Sequence, residues 1–174
     1  QAHEAQGRTV TLLASERGVL ALFAVADTTR PSSRDAVAAL HAMGVRTVML
    51  TGDNPSTAQT IAAQVGITEV RANLLPQDKQ RAVEQLGTEG PVGMVGDGVN
   101  DSPSLAAAAL GFSMGGAGTD IAKEAADVLV MDDDLRKLPE TIRLSRRTHA
   151  VLWQNIALAL GIKAVFLVLA LFDN

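Results

Sequence analysis

Gly96-Asp97-Gly98-Val99-Asn100-Asp101 is the stretch that decides the fold. It follows an apolar run at residues 91–95, which predicts a buried strand, and it precedes an Ala-rich run at 104–110, which predicts a helix. Two carboxylates on a loop at the carboxyl end of a strand suit a hard cation, and glycines let a phosphate approach closely. The alternative interpretation is an ordinary Asp-Gly or Asn-Asp turn.

Composition restricts the class of protein. The chain has 174 residues, of which 47% are hydrophobic and 3% aromatic, which suits one α/β domain or one domain with an appendage. The net charge of −4 argues against a nucleic-acid partner, and the absence of cysteine excludes disulfides and thiolate metal sites within the chain. Because the sequence opens in mid-pattern at Gln1, we expect a fragment of a longer protein.

Strand-like and helix-like segments alternate through the first 147 residues. Helices are predicted to begin at Pro31, Ser56 and Pro76, and Gly44 and Gly66 are predicted to end the first two. Such alternation predicts parallel βαβ units, although two successive strands within residues 8–25 break the pattern and suit a neighbouring domain. The predicted strands are 9–14, 19–25, 45–50, 69–71, 92–95, 110–113 and 128–131.

Residues 151–172 are almost wholly apolar. As a helix they extend about 33 Å, which is enough to cross the hydrocarbon core of a bilayer. Arg143, Arg146 and Arg147 precede this run, so the positive-inside rule places its amino end in the cytoplasm. The alternative is a buried helix of a large soluble protein.

A second strand-end loop and a lysine add to the first loop. Thr51-Gly52-Asp53 follows the predicted strand 45–50, and a threonine hydroxyl can donate a hydrogen bond to a phosphoryl oxygen. Lys79 lies at a helix start, where its positive charge interacts unfavourably with the helix dipole. A bound phosphate facing the ammonium would explain this position. A capping role for Thr51 and a solvated Lys79 are the alternatives.

In this order and spacing, the motifs resemble those of the phosphorylation domain of P-type ATPases, cation pumps of the haloacid dehalogenase superfamily. The resemblance implies an α/β, haloacid dehalogenase-like (Rossmann-type) parallel sheet with flanking helices, followed by a transmembrane helix. The matching segments are Thr51-Gly52-Asp53, Pro76-x-x-Lys79, Gly96 through Pro103, the hinge-like Asp27-Thr-Thr-Arg30-Pro31, Met114-Gly115-x-x-Gly118-Thr119-Asp120-x-Ala122, and Ala126-Asp127.

The resemblance also implies a division of the chain. Residues 1–25 are expected to end a nucleotide-binding domain, 26–147 to form most of the phosphorylation domain, and 148–174 to form a transmembrane helix. The chain would be the C-terminal part of a multi-pass pump of the cell (plasma or inner) membrane, with residues 1–149 in the cytoplasm. Its expected partners are ATP, a divalent metal ion, the lipid bilayer and the rest of the same polypeptide, including the actuator domain.

Roles for single residues follow from the same resemblance. Asp97 is expected to coordinate Mg²⁺, with Asp101 and Asn100 supporting the metal and the phosphate. Thr51 and Lys79 are expected to orient the phosphoryl oxygens, so that Thr51, Lys79, Asp97 and Asp101 are the catalytic set. Gly52 and Asp53 are assigned to nucleotide and phosphate binding, and Asp27 and Arg30 to the hinge.

One element of the family pattern is missing from this sequence. The nucleophile motif Asp-Lys-Thr-Gly-Thr occurs nowhere in the 174 residues, and no other aspartate has the required neighbours. We therefore expect the isolated chain to be inactive. Since the nucleophile strand lies in the middle of the sheet in this superfamily, we also expect residues 26–147 to fold poorly alone.

The apolar segment suggests a subclass. Trp153-Gln154-Asn155-Ile156 through Gly161-Ile162-Lys163 resembles the zinc/cadmium/lead exporters. Lys163 lies near mid-span, where an ionisable group usually faces a partner or a pathway, so it is assigned to the transported-ion region; snorkelling is the alternative. The resemblance implies ATP-driven export of Zn²⁺, Cd²⁺ or Pb²⁺ through an aspartyl-phosphate. A catalytically incomplete phosphate- and Mg²⁺-binding fragment and a membrane-anchored phosphatase remain alternatives.

Overall fold

The computed structural model describes residues 9–15, 18–25, 29–96, 100–115 and 124–172. The chain divides into two compact units, Gln1–Arg136 and Lys137–Asn174. In the first unit, helices alternate with most of the strands, as the sequence predicts. In chain order its elements are β1 (Thr9–Ser15), β2 (Gly18–Val25), α1 (Pro31–Ala42), β3 (Val48–Leu50), α2 (Pro55–Val65), β4 (Glu69–Arg71), α3 (Pro76–Gly87), β5 (Gly93–Gly96), α4 (Ser102–Ala107), β6 (Leu110–Met114) and β7 (Val128–Val130).

The described strands form three sheets. β1 and β2 pair as an antiparallel hairpin, whereas β3 pairs in parallel with β4 and β6 lies between β5 and β7 in a second parallel sheet. The predicted α/β class with parallel strands and flanking helices is therefore confirmed. Among the described strands, none pairs with the second edge of β3 or of β5, so the parallel strands occur as two sheets.

Proline and glycine set the helix boundaries much as predicted. A proline occupies the first turn of α1, α2 and α3, where a missing backbone N–H costs nothing. Gly66 ends α2 in the left-handed conformation with φ +85°, which glycine adopts without a steric penalty.

Two predicted boundaries move for local reasons. The strand predicted at 45–50 begins only at Val48, because the Val45 N–H donates to the Leu40 carbonyl and closes the end of α1. The helix predicted at 104–110 is Ser102–Ala107, because Ala108 turns to extended backbone and Leu110 begins β6.

A small core holds together the elements that carry the two strand-end loops. Val83 of α3, Met94 of β5 and Leu105 of α4 are buried against one another, and Leu50 of β3 packs on this cluster. Full burial of such a side chain stabilises the fold by roughly 1.5–3 kcal/mol. The core therefore fixes β3, β5, α3 and α4 close to the loops that the sequence singled out.

The second unit consists of α5 (Lys137–Phe172) in its described part. The helix over residues 137–170 is long and apolar enough to cross a membrane, and the mean hydropathy of its most apolar 18-residue stretch is 1.8. The predicted apolar helix at 151–172 is thus present, but α5 begins 14 residues earlier. The additional turns are polar and include an ion pair between Lys137 and Glu140, at 3.1 Å.

Candidate functional site

The loop that follows β3 is closed by Thr51 and Asp53. The Thr51 N–H extends the β3–β4 ladder by donating to the Arg71 carbonyl at 3.0 Å. The Thr51 hydroxyl donates to Asp53 Oδ2 at 2.8 Å and accepts from the Asp53 N–H at 3.1 Å. The predicted hydroxyl and carboxylate therefore lie together at the carboxyl end of the strand, with their hydrogen bonds satisfied by each other.

The loop after β4 braces this first loop. Asn73 and Leu74 donate their N–H groups to the carbonyls of Asp53 and Thr51, at 2.8 and 3.0 Å. A Cβ at Gly52 would lie 3.3 Å from the Leu74 carbonyl oxygen, which is a tight contact. Gly52 thus permits two chain segments to pass close to each other. The sequence had not indicated that Asn73 and Leu74 contact this loop.

The braced segment leads directly into α3, which carries Lys79. Leu75 is the N-cap residue, and its N–H donates to the carboxylate of Asp78 at 3.2 Å. The Lys79 N–H donates to the Leu75 carbonyl, so Lys79 lies in the first turn, where the helix dipole disfavours a cation. The ammonium is compensated by Asp101, because Lys79 Nζ donates to Asp101 Oδ1 at 2.8 Å.

The Lys79–Asp101 pair joins two predicted site motifs that are 22 residues apart. The two side chains are only 18% and 13% exposed, so the charges interact through a medium less screening than bulk water. Contacts therefore run continuously from Thr51 through Leu74 and α3 to Lys79 and Asp101. Three of the four predicted catalytic residues belong to this one arrangement.

Asp101 occupies the N-cap position of α4, yet its side chain makes no capping bond to that helix. Gly96, at the end of β5, explains how the carboxylate is accommodated. A Cβ on Gly96 would lie 2.9 Å from both Cβ and Oδ2 of Asp101, closer than real side chains approach. Glycine at this position leaves the space that Asp101 fills, while Asn100 beside it is exposed.

Several predicted residues lie outside the part of the chain that the structure describes. These are Asp97 of the glycine-rich loop, Asp27 of the hinge segment, and Gly118, Thr119 and Asp120. Within the described ranges, no three carboxylate or imidazole side chains converge as a ready-made cation site.

Arg30, predicted at the hinge, contacts a residue that the sequence had not indicated. Its guanidinium donates to the Asp133 carbonyl at 2.8 Å and lies 3.8 Å from the Asp133 carboxylate. Gly115 adopts φ +94°, and a Cβ there would lie 3.1 Å from Asp133 Oδ1. The one feature of the sequence that could have indicated this contact is the acidic run 132–134 after the last strand.

Asp127, which the family resemblance pointed to, joins two strands. Its carboxylate accepts from the Gly111 N–H at 2.8 Å, and its own N–H donates to the Gly111 carbonyl at 3.0 Å. These reciprocal bonds tie β6 to the segment that enters β7. Lys163 belongs to the second unit and lies on the exposed apolar half of α5.

Comparison with known proteins gives a consistent set of matches. The profile of the haloacid dehalogenase-like hydrolases matches residues 1–109. A probable cadmium-transporting ATPase of Alkalihalophilus pseudofirmus is 51% identical over 168 residues, covering 95% of this chain and 23% of the relative. The zinc/cadmium/lead-transporting P-type ATPase of Escherichia coli K12 is 47% identical and covers 97% of this chain and 23% of the relative.

A solved structure gives the same result. The crystal structure of a zinc-transporting PIB-type ATPase in the E2.Pi state matches with a TM-score of 0.88 and 46% identity. That match covers 99% of this chain and 28% of the solved chain. The chain therefore spans about a quarter of the length of the relatives that it matches.

Proposed function

Because the chain belongs to the haloacid dehalogenase-like hydrolase family, we propose that it supplies the Mg²⁺- and phosphate-binding part of the phosphorylation site of an ATP-driven metal exporter. The cargo is Zn²⁺, Cd²⁺ or Pb²⁺, and the pump works through an aspartyl-phosphate whose aspartate lies outside these 174 residues. The names of the cadmium- and zinc-transporting relatives support this choice of cargo.

The observation that carries the proposal is the Lys79–Asp101 ion pair. A lysine in the first turn of a helix is electrostatically unfavourable, and here it is held by a carboxylate from another strand-end loop at 2.8 Å. Such an arrangement sets an ammonium and a carboxylate at the edge of the sheet where α/β proteins bind ligands. In phosphoryl transfer, the ammonium neutralises negative charge on the phosphoryl oxygens and the protein acts chiefly by positioning.

Thr51 would provide a neutral donor to the same phosphoryl group. Its hydroxyl now donates to Asp53, so binding a phosphoryl oxygen requires the hydroxyl to rotate away from that carboxylate. The backbone of the loop does not need to move, because Asn73 and Leu74 hold it from the other side. Asp53 and Gly52, and Asn100 beside Asp101, are proposed to contact ATP and its phosphates.

The described residues fit a Mg²⁺ ion as an additional component. This cation takes oxygen ligands and is commonly held by one or two carboxylates, with waters and substrate phosphates completing its shell. Asp101 offers such a carboxylate, beside a glycine whose missing side chain leaves room. Asp97 would provide the second. When bound, the cation neutralises charge on the transferring phosphoryl group.

The remaining parts of the chain extend the same proposal. Residues 1–25 would end the nucleotide-binding domain, 26–147 would form the phosphorylation domain, and Asp27 and Arg30 would serve the hinge between them. Residues 148–174 would be one transmembrane helix of a multi-pass protein of the cell membrane, with residues 1–149 cytoplasmic. Lys163, near the middle of the span, would face the path of the transported ion, because an unpaired charge there is costly.

The test compares two cations on α3 in the full-length protein. Lys79→Ala should lower zinc-stimulated phosphoenzyme formation from labelled ATP at least about a hundredfold, the scale for removing one transition-state contact. Arg81→Ala is the matched control, because Arg81 is exposed and only pairs with Asp78 at 3.6 Å. The proposal fails if Lys79→Ala and Arg81→Ala form phosphoenzyme equally fast.

Two alternatives lead to different results in the same assay. A membrane-anchored phosphatase would hydrolyse a phosphate monoester without stimulation by zinc or cadmium, and would not need ATP. A phosphate- and Mg²⁺-binding fragment without turnover would bind both ligands but form no phosphoenzyme from ATP. The isolated chain should form no acid-stable phosphoenzyme, since it contains no nucleophile motif.

A further inference from the structure

Three arginines, Arg143, Arg146 and Arg147, lie in the polar part of α5 just before its apolar run, and we call them the arginine cluster. At 3.6 residues per turn, their side chains leave the helix within an arc of about 100°. All three are exposed. The single carboxylate in the α5 sequence, Glu140, is paired with Lys137, so α5 itself offers the cluster no further counter-charge.

The depth of the cluster follows from two independent features. Arg146 and Arg147 precede Val151, where the apolar run begins, by about 6–8 Å along the helix axis, which is the level of the lipid headgroups. The indole N–H of Trp153 donates to His149 Nε2 at 2.9 Å, so the polar edge of the ring points toward the amino end of α5. Tryptophan is enriched at this boundary of a membrane, with its polar edge toward water.

The chemistry of the cluster selects its ligand. A guanidinium binds a phosphate through two parallel hydrogen bonds, and several guanidinium groups favour a headgroup with net negative charge. We propose that the arginine cluster binds the phosphates of anionic phospholipids in the cytoplasmic leaflet. This inference rests on the proposed membrane span of α5. The bound lipids would hold α5 at a fixed depth while the apolar part lies in the hydrocarbon.

Trp153, the single tryptophan of the chain, serves as the probe for the test. The 174-residue chain is inserted into phosphatidylcholine vesicles that contain a minor fraction of phosphatidylglycerol, with brominated acyl chains on one lipid at a time. Per labelled lipid, phosphatidylglycerol should quench Trp153 about fivefold to tenfold more strongly, because each arginine near an anionic surface favours binding by about fivefold.

Matched variants locate the effect. Arg146→Gln/Arg147→Gln should remove most of the preference for phosphatidylglycerol, since only Arg143 is left, whereas Arg146→Lys/Arg147→Lys should keep more of it through charge alone. Arg34→Gln/Arg81→Gln removes the same charge from exposed positions of the first unit and should keep the whole preference.

Three outcomes overturn the proposal. The first is equal quenching by the two lipids in the unaltered chain. In that case the arginine cluster binds an acidic protein segment instead of lipid. The proposal is also overturned if Arg146→Gln/Arg147→Gln keeps the preference undiminished, or if Arg34→Gln/Arg81→Gln loses it equally. If Trp153 emission stays water-like and neither lipid quenches it, α5 is not inserted and the proposed span fails too.

Discussion

Two helices of the first unit begin at strand-end loops, and they use their cap residues in different ways. Asn54 caps α2, because its Oδ1 accepts from the Thr57 N–H at 2.9 Å. Asp101 holds the same position in α4, but its carboxylate accepts from Lys79 instead of from its own helix. Asparagine and aspartate cap helices about equally well, so the residue type does not explain the difference.

Because Asp101 pairs with Lys79, the start of α4 has no side-chain cap. α4 is only six residues long and lacks a side-chain cap, so its own hydrogen bonds stabilise it little. Leu105, buried at 1% exposure, holds the helix by packing in the core. A carboxylate that pairs with a largely buried lysine instead of capping its own helix therefore indicates a functional residue. That contact is a better indicator than the position of the residue in a turn.

The largest expected effect separates the two caps by function. In the full-length protein, Asp101→Asn should lower the rate of phosphoenzyme formation from ATP about 10²–10³-fold, because the carboxylate that holds Lys79 and is proposed to bind Mg²⁺ is lost. Asn54→Ala should change that rate less than about twofold. Single-turnover labelling with ATP measures both, and similar rates for the two variants would contradict the assignment.

The next effect concerns stability. Lys79→Met leaves the Asp101 carboxylate at 13% exposure without its cation, which should cost about 2 kcal/mol in the free energy of unfolding. The double variant Lys79→Met/Asp101→Asn should recover part of that loss, since no charge is then left unpaired. Urea unfolding of the full-length protein in detergent gives the comparison. Additive losses would show that the two side chains do not interact.

A third prediction sharpens the comparison through glycine. Gly96→Ala should destabilise by about 1–3 kcal/mol, because its Cβ would lie 2.9 Å from Asp101 and something must shift. Gly52→Ala meets the Leu74 carbonyl oxygen at 3.3 Å, so we expect a smaller loss. Melting temperatures of the two variants measure the difference. A larger loss at Gly52 would mean that the first loop is the more constrained of the two.

The smallest effect is the loss of the α2 cap itself. Asn54→Ala should cost about 1 kcal/mol, and Asn54→Asp should restore most of it because aspartate also accepts from the Thr57 N–H. Thermal unfolding of the two variants provides the test. If Asn54→Asp is as unstable as Asn54→Ala, the bond to Thr57 is not what stabilises the start of α2.

Sequence alone predicts the local features of this structure well. The proline starts of α1 and α3, the glycine end of α2 and the seven strands follow from turn chemistry and short apolar runs, which act over a few residues. The Lys79–Asp101 pair could not be derived from spacing, because its partners are separated by 22 residues and meet only through packing. The contact of Arg30 with Asp133 spans 103 residues and escaped prediction for the same reason.

The start of α5 was missed for a different reason. The apolar run begins at Val151, whereas the helix begins at Lys137, since polar residues with good helix propensity continue it toward the amino end. Hydropathy identifies the apolar part of the helix but does not indicate whether the polar turns before it are helical. The roles of Asp97, Asp27 and Asp120, which lie outside the described residues, stay predictions.

The order of strand pairing has a consequence for how the chain folds during synthesis. β3 pairs with β4, β5 with β6, and β6 with β7, so each parallel pair among the described strands joins strands that are consecutive in the chain. Loop closure between such near neighbours costs little entropy, and topologies with short-range contacts fold quickly. Each sheet is therefore able to form as soon as its own residues leave the ribosome. β7, the last of these strands, precedes α5 in the chain, so all the residues of these pairings are synthesised before the apolar helix.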